Sequence, residues 1–474
     1  MSTNGHPSDM DNNILYPTAS KASQRGMRRL SSQNAQRADL FGGPTVVAPP
    51  QHMDVHSHAN ETARAMEMAK HHLAESPPTI TPPGSGTTTP DDSSSLSTTD
   101  KYAFAFDIDG VLIKGGKVIP EAIEAMKVLN GQNEYGIKVP YIFVTNGGGK
   151  TEEERCIQLS NQLQIEVSPG QFICGHTPMR EMAEKYHTVL VVGGEGEKCR
   201  NVAKGYGFKD VITPGDIIKD NEDTTPFRKL TDEEHRNSNI RNYGEIEIEA
   251  VFVFADSRDW AGDSQIILDL CMSKNGRLGT RSETFDEGPP VFFSHNDVVW
   301  ATSHAYSRIG MGALRASLEA MFKAITGKEL KTIAFGKPQV GTFQFATRLL
   351  RQWRKDTHGI DRPPETVYFV GDTPESDIRG TNEFDESGDS EARWYSILVR
   401  TGVFREGTRP MYLPKMTVDN VLEAVKHGMK REFDKAIKDL TIGGAAPQLA
   451  NAIVEDDYER VEATTVEPTT TTAQ

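Results

Sequence analysis

The stretch FAFDIDGVLIKGG, residues 104–116, decides the fold class of this chain. Its apolar start predicts a buried strand, and Asp107, Asp109 and then Gly110 follow at the carboxyl end of that strand. In open α/β sheets, ligands bind in the crevice beyond the carboxyl ends of the strands. Two carboxylates in that crevice predict a bound metal ion, for which oxygen ligands select Mg²⁺, or a shared proton. The simpler alternative is a strand end with two solvated aspartates.

Short apolar runs alternate with helical segments from residue 101 onward. Seven runs are predicted as buried strands: Tyr102–Phe106, Tyr141–Val144, Thr188–Val192, Ala250–Phe254, Thr332–Phe335, Thr366–Val370 and Ser396–Val399. Five segments have apolar residues at helical spacing: Pro120–Leu129, Thr151–Leu163, Ser264–Met272, Gly310–Ile325 and Thr342–Trp353. Such alternation is typical of α/β proteins, in which helices cover a parallel sheet. The polar stretch Lys219–Gly244 is predicted to be a surface insertion.

A second group of candidate residues follows the strand in YIFVTNGGGK, residues 141–150. Thr145 and Asn146 precede three glycines and a helix, so a hydroxyl, an amide and bare backbone N–H groups can bind an anion such as phosphate. A glycine turn without a ligand is the alternative. Lys337, which follows Gly336 after a later strand, offers a cation to the same crevice. A lone lysine in such a position is usually only a surface residue.

The fourth informative segment is VYFVGDTPESDIRG, residues 367–380. It places Asp372 just after another buried strand, and Asp377 follows five residues later. The glycine before the first aspartate allows close approach of a ligand. The second aspartate can orient metal ligands or metal-bound water.

In their order along the chain, these segments resemble the motifs of the haloacid dehalogenase (HAD) superfamily of phosphohydrolases: DxDG, a strand-ending Thr or Ser, a Lys and GDxxxxD. The 191 residues between Thr145 and Lys337 resemble in position the α/β cap of subclass IIA, the nucleotide and p-nitrophenyl phosphatases. FDIDGVL, FVTNGGG, the TGKEL–GKP run and GDTPESDIRGTN are similar to the cat-eye-syndrome critical region branch of that subclass. The resemblance covers about residues 101–430. Thr373 departs from the Asn that is common there, so contacts around the neighbouring aspartate are expected to differ.

The resemblance implies a Rossmann-like, parallel-sheet HAD core with a large α/β cap inserted between the second and third motifs. The expected organisation is a disordered leader at 1–100, core at 101–175, cap at 176–330, core again at 331–435 and a mostly disordered tail at 436–474. The leader and the tail contain long stretches of Ser, Thr and Pro, with too little apolar surface to offset chain entropy.

The resemblance also implies a role for each motif residue. Asp107 would attack phosphorus to give an aspartyl-phosphate, while Asp109 would protonate the leaving oxygen and then activate water. Mg²⁺ would be held by Asp107, the backbone carbonyl of Asp109 and Asp372. Three further groups would bind the phosphoryl oxygens: Thr145, the backbone N–H of Asn146 and Lys337. Asp377 would support the metal ligands.

Three cap residues are candidates for contact with the leaving group of the substrate. Asp256 and Arg258, in FADSRDWAGD after a cap strand, suit such a role, but they suit a helix-capping loop equally well. His295 lies near the predicted return from cap to core, where single histidines are more often structural.

Composition excludes several classes of protein. With 52 Lys and Arg against 67 Asp and Glu the net charge is −15, which argues against a chain that coats nucleic acid or anionic membrane. No apolar run is long enough for a transmembrane segment and no apolar signal-peptide core is evident, so we expect a soluble protein that is not secreted. Four cysteines without a CxxC pair predict reduced, buried thiols.

The predicted function is therefore that of a Mg²⁺-dependent phosphatase for a small phosphate monoester. The resembled branch is linked with mitochondrial glycerophospholipid metabolism, and the Arg-rich segment Asn13–Ala38 has the composition of a mitochondrial presequence. The alternatives are a cytoplasmic location, a HAD-fold binding or scaffold protein, and a phosphotransferase. A homo-oligomer formed through the cap is left open. His52, His56 and His58 are expected to be solvated rather than to hold a metal.

Overall fold

The computed structural model describes residues 100–405 and 407–442 of this 474-residue chain. Most of the predicted leader and tail lie outside the described residues. The presequence-like segment Asn13–Ala38 and the histidines His52, His56 and His58 also lie outside them.

Strands and helices alternate along the described chain. The strands are β1 (Tyr102–Phe106), β2 (Ile113–Lys114), β3 (Lys117–Val118), β4 (Tyr141–Val144), β5 (Phe172–Ile173), β6 (Thr188–Val192), β7 (Asp210–Ile212), β8 (Ala250–Val253), β9 (Val291–Phe293), β10 (Val299–Trp300), β11 (Arg308–Ile309), β12 (Thr332–Ala334), β13 (Thr366–Gly371), β14 (Arg393–Val399) and β15 (Met416–Val418). The α-helices are α1 (Pro120–Leu129), α2 (Glu152–Leu163), α3 (Lys198–Tyr206), α4 (Pro214–Asp220), α5 (Asp232–Asn237), α6 (Trp260–Cys271), α7 (Met311–Thr326), α8 (Val340–His358), α9 (Arg379–Ser387) and α10 (Val421–Ile442).

One sheet, here called the core sheet, has the strand order β15-β14-β13-β1-β4-β5. Each neighbouring pair is parallel. In the central pairings Phe106 lies opposite Val370 of β13 and Phe143 of β4, so these three strands end level with one another. This register fixes where the residues that follow the strands meet.

The two faces of β1 explain how helices cover both sides of the core sheet. Phe104 and Phe106 pack on one face with apolar residues of α1, α2 and α10. Ala103 and Ala105 point to the other face, where the small side chains leave room for large residues of α8 and β13 such as Phe343. A strand buried on both faces is apolar throughout, which is why the sequence pattern identified it.

A second sheet, here called the cap sheet, has the order β12-β9-β8-β6-β7 and is also parallel throughout. It is built from the chain between β5 and α8. Its strands pack on α3, α4, α6 and α7 through two apolar clusters, one on each face. The predicted α/β fold with parallel sheets is confirmed.

Two details differ from the prediction at the element boundaries. β12 pairs with β9 of the cap sheet, so the chain leaves the cap sheet after Ala334 rather than near 331. The last helix, α10, continues to Ile442, into the segment predicted as tail, because its buried face packs on the core sheet.

The predicted insertion Lys219–Gly244 contains one short α-helix, α5. The domain boundaries as a whole stay a prediction.

No helix within the described ranges is long and apolar enough to cross a membrane.

We expect the substitution Phe343→Ala to lower the free energy of unfolding by about 3–5 kcal/mol, because it empties a fully buried position between α8 and the core sheet. Chemical denaturation of the full chain measures this loss. Phe227→Ala is the matched control, since that side chain is fully exposed and its loss should stay within about 0.5 kcal/mol. Equal losses in the two variants would refute the packing described for α8.

Candidate active site

The site is formed where three neighbouring core strands end. Asp107 directly follows β1, Thr145 directly follows β4 and Asp372 directly follows β13. Because these strand ends lie level, the first, second and fourth predicted motifs meet at one edge of the core sheet. Lys337 of the third motif comes from the loop between β12 and α8.

Lys337 is a buried partner of two carboxylates rather than a surface residue. Its Nζ atom lies 2.7 Å from Oδ1 of Asp107 and 2.8 Å from Oδ1 of Asp377. Burial opposes the charge on the lysine, but the two carboxylates outweigh burial and raise its pKa. The ammonium group therefore stays protonated at any physiological pH.

Asp377 is held by the backbone as well as by the lysine. A π-helical turn, Pro374–Ile378, directs its side chain back toward the end of β13. There its Oδ2 atom accepts hydrogen bonds from the backbone N–H groups of Asp372 and Thr373, both at 3.0 Å. Both oxygens of this fully buried carboxylate are thus engaged, which fits the supporting role predicted for it.

Asp372 lies in a narrow space between two glycines. A Cβ atom on Gly402 would lie 1.8 Å from its Oδ2 atom, and one on Gly110 would lie 2.2 Å from the same oxygen. That oxygen accepts a hydrogen bond from the backbone N–H of Val403, and Oδ1 accepts one from the hydroxyl of Thr373. Thr373 therefore contacts the aspartate directly at the position where the resembled family commonly has Asn.

Asn146 connects three parts of the site through its side chain. Its Nδ2 group donates to Oδ2 of Asp297 at 2.9 Å and to the backbone carbonyl of Lys337 at 3.0 Å. Its Oδ1 atom accepts from the backbone N–H of Lys337 at 2.7 Å. The amide therefore fixes the loop that carries the lysine, and it binds that loop to a cap residue. Asp297 was not among the predicted site residues.

Asp109 lies on the more open side of the site. Its side chain is 33% exposed, whereas that of Asp107 is 10% exposed. Burial raises the pKa of Asp109, although Arg155 and Lys337 oppose the rise. A carboxyl group with a raised pKa keeps its proton closer to neutral pH, as a general acid requires. Arg155, with its Nη2 atom 4.0 Å from Oδ2 of Asp109, was also missed from the sequence.

The buried carboxylates have the composition of a metal site. Asp107, Asp372 and Asp377 each offer an oxygen, and these oxygens lie within 4.8 Å of one another. Burial raises the pKa of Asp107, and burial together with Asp377 raises the pKa of Asp372 to about 7. Lys337 balances only one of the three charges. An all-oxygen set with two excess negative charges suits a hard divalent cation, so these residues fit one.

The three predicted substrate residues of the cap lie in different surroundings. His295 is buried, and its Nδ1 atom accepts the backbone N–H of Asp297 at 3.2 Å. Asp256 and His295 are close enough to affect the pKa of Asp109, which the first raises and the second lowers. Arg258 instead donates to the backbone carbonyl of Asp256 at 2.7 Å, within its own loop.

A polar cluster, here called the junction cluster, joins the start of α2 to the cap. It consists of Glu152, Cys174, His176 and Tyr206. The Tyr206 hydroxyl donates to Glu152 and also lies 2.7 Å from Nδ1 of His176. The Cys174 sulfur lies 3.5 Å from both ring nitrogens of that histidine. Hydrogen bonds with Thr177 and Arg180 complete this cluster. All four cysteines of the chain are buried and unpaired, as predicted.

Comparisons with known proteins agree with this architecture. A family profile described as haloacid dehalogenase-like hydrolase matches residues 104–209, and one described as HAD-hydrolase-like matches residues 334–424. A Saccharomyces cerevisiae protein named mitochondrial hydrolase is 37% identical over 357 residues, which are 71% of this chain and 97% of that protein. The chain belongs to the haloacid dehalogenase-like hydrolase family and is an enzyme of that family.

A second relative is longer than this chain. It is the Schizosaccharomyces pombe cardiolipin synthase (CMP-forming) / mitochondrial hydrolase fusion protein, which is 38% identical over 354 residues. The match covers 74% of this chain but 57% of that protein. Among solved structures, a p-nitrophenyl phosphatase from Archaeoglobus fulgidus has 19% identity and a TM-score of 0.44, covering 69% of this chain and 99% of its own.

We expect Gly402→Ala to displace the Asp372 carboxylate, because the added Cβ atom would lie 1.8 Å from its Oδ2 atom. The variant should lose a buried hydrogen bond and about 1–3 kcal/mol of stability, measured by chemical denaturation. Gly205→Ala is the control, since nothing lies within 4 Å of its Cβ position and alanine favours the helix there. A variant at 402 as stable as the control would show that Asp372 can move without cost.

His176 should make the fold sensitive to acid. Burial lowers its pKa to about 4, whereas the ring titrates near 6.5 in an unfolded chain. Between these two pH values the unfolded state binds the proton more readily than the folded state. Lowering the pH should therefore reduce the free energy of unfolding by up to roughly 3 kcal/mol through this ring.

We expect His176→Gln to lack this part of the pH dependence. The free energy of unfolding should therefore fall less between about pH 7 and pH 4.5 in the variant than in the natural chain. The facing groups Glu152, Cys174, Arg180 and Tyr206 are present in both proteins, so the difference isolates the ring. Parallel pH curves would contradict the assignment.

Proposed function

We propose that this enzyme is a Mg²⁺-dependent phosphatase that hydrolyses a small phosphate monoester through an aspartyl-phosphate on Asp107. The contact of Lys337 with Asp107 and Asp377, at 2.7 and 2.8 Å, carries the proposal. A weak carboxylate nucleophile that faces an anionic substrate needs positive charge beside it. The buried ammonium supplies part of that charge at the nucleophile itself.

In the first step an oxygen of Asp107 bonds to phosphorus while the bond from phosphorus to the ester oxygen breaks. Asp109 gives its proton to the departing oxygen. In the second step water attacks the aspartyl-phosphate and gives a proton to Asp109, which releases inorganic phosphate and restores both carboxyl groups. The raised pKa of Asp109 supports its role as the acid of the first step.

Bound Mg²⁺, held by Asp107, the backbone carbonyl of Asp109 and Asp372, would supply the remaining positive charge that the transferring phosphoryl group requires. Asp377 pairs with Lys337 through Oδ1 and is held by two backbone N–H groups through Oδ2, so in this proposal it positions the lysine beside these ligands.

Lys337, Thr145 and the backbone N–H of Asn146 bind the phosphoryl oxygens in this proposal. The Asn146 side chain holds the backbone of Lys337 on both sides, which restricts where the ammonium group can lie. The hydroxyl oxygen of Thr145 accepts the backbone N–H of Gly147 at 3.0 Å, which leaves its own proton for a ligand oxygen.

The cellular setting is proposed from the relatives. Both fungal relatives are named as mitochondrial hydrolases or fusions containing one, and one of them also carries the name cardiolipin synthase. We infer a mitochondrial enzyme that acts on a small phosphorylated compound of glycerophospholipid metabolism. The Arg-rich segment Asn13–Ala38 supports the same location.

Asp107→Asn should abolish hydrolysis, since an amide oxygen cannot form the acyl phosphate. We expect the rate with phosphate monoesters and Mg²⁺ to fall by at least about 10³-fold while the unfolding midpoint stays within a few degrees. Asp361→Asn is the control, because that side chain is 63% exposed and pairs with Lys355 at the surface, away from the site. Substantial activity in the variant at 107 would exclude it as the nucleophile.

The proposed function itself is tested with the full chain and a panel of phosphate monoesters. We expect turnover with Mg²⁺ and its loss when a chelator removes the metal, followed by recovery on adding Mg²⁺ again. Turnover that persists in the chelator would contradict the metal requirement. No turnover of any monoester would contradict the phosphatase proposal.

A further inference from the structure

Arg155 occupies a position beside the candidate acid that the proposed chemistry does not explain. It lies in the first turn of α2, the helix that follows the glycines after Asn146, and its backbone N–H donates to the carbonyl of Thr151. Its Nη2 atom is 4.0 Å from Oδ2 of Asp109, and its side chain is 18% exposed. The helix therefore holds a mostly buried arginine side chain at the edge of the site.

The hydrogen-bond donors of this guanidinium are unused. Within the described part of the chain Arg155 donates no side-chain hydrogen bond, and its ion pair with Asp109 is too long to be one. The nearest acids of α2 have other partners: Glu152 is bound by Thr177, Arg180 and Tyr206, and Glu154 caps the helix at Thr151. The guanidinium nitrogens of Arg155 keep contact with solvent, so these donors are accessible to a ligand that enters the site.

The position relative to Asp109 identifies the part of the substrate that would meet Arg155. If Asp109 protonates the ester oxygen through a hydrogen bond of about 2.7 Å, the guanidinium lies within about 7 Å of that oxygen. Gly147 leaves the space beside the acid open, since a Cβ there would already lie 3.2 Å from Oδ2 of Asp109. The guanidinium therefore lies beside the acid that would meet the leaving group.

We propose that Arg155 binds a second anionic group on the leaving alcohol of the substrate, so that the preferred substrates are short phosphate monoesters bearing a carboxylate or another phosphate. This inference rests on the proposed function, because it uses Asp109 as the acid. The planar guanidinium can bind either group through two parallel hydrogen bonds. Because Asp109 carries its proton when it acts as the acid, the positive charge of Arg155 is available to the second anionic group.

The test compares matched substrates in the full chain with Mg²⁺. 2-Phosphoglycolate carries a carboxylate, propane-1,3-diol bisphosphate carries a second phosphate, and 2-hydroxyethyl phosphate is the neutral reference. We expect Arg155→Gln to lower kcat/KM for an anion-bearing substrate by about 30-fold more than for the neutral one. The substrate with the larger differential loss identifies the anion. Lys127→Gln, an exposed lysine paired with Glu124, is the control and should change neither value.

Equal loss with all three substrates would overturn the inference, since Arg155 would then act only on Asp109 or on the fold. A binding measurement separates this outcome from failure of the proposed function. Calorimetric titration of the Asp107→Asn chain should give at least tenfold tighter binding of 2-phosphoglycolate or the bisphosphate than of 2-hydroxyethyl phosphate, and Arg155→Gln should abolish the difference. Selective binding without turnover in the natural chain would refute only the phosphatase proposal. Binding without selectivity would refute the role of Arg155.

Discussion

The ion pairs of Lys337 with Asp107 and Asp377 are the interaction on which the rest of the site depends. Three carboxylates within 4.8 Å cannot stay ionised together in a buried place without compensation. The lysine provides one positive charge, and the remaining excess matches a divalent cation. The surrounding structure keeps that balance in place, because the Asn146 side chain holds the backbone of the lysine and two backbone N–H groups hold Asp377.

Two of the contacts between the cap and this arrangement belong to the chain after β4. Asn146 binds Asp297 of the cap, and Glu152, six residues later, binds Tyr206 through the junction cluster. Between them, the backbone of Gly148 packs so closely on the carbonyl of Phe254 that a Cβ would lie 2.5 Å from it. A change in the orientation of the cap would therefore disturb the loop that contains the candidate phosphate ligands, so cap position and phosphate binding are coupled.

Much of the core could be predicted from the sequence because parallel strands buried on both faces leave continuous apolar runs, as at Tyr102–Phe106, and because the motif residues follow those runs directly. Contacts between residues far apart in the sequence were not predictable. Asp297 lies 151 residues from Asn146, and Arg155 is one charge among several on α2. Nor did local pattern indicate that β12 completes the cap sheet, since strand order is decided by packing between distant segments. The burial of Lys337 was not predictable for the same reason, since it depends on distant segments that pack over the side chain.

The insertion of the cap has a consequence for the order in which the protein can be completed during synthesis. β1 pairs with β13, whose first residue follows that of β1 by 264 positions. A growing chain that has just finished β12 already contains every strand of the cap sheet, yet it lacks β13, β14, β15 and both Asp372 and Asp377. On the ribosome every strand of the cap sheet is therefore available before the core sheet can be completed. Asp107 is among the first of the described residues to emerge, whereas its partner Lys337 and the neighbouring Asp372 and Asp377 are added only after the cap sheet is complete.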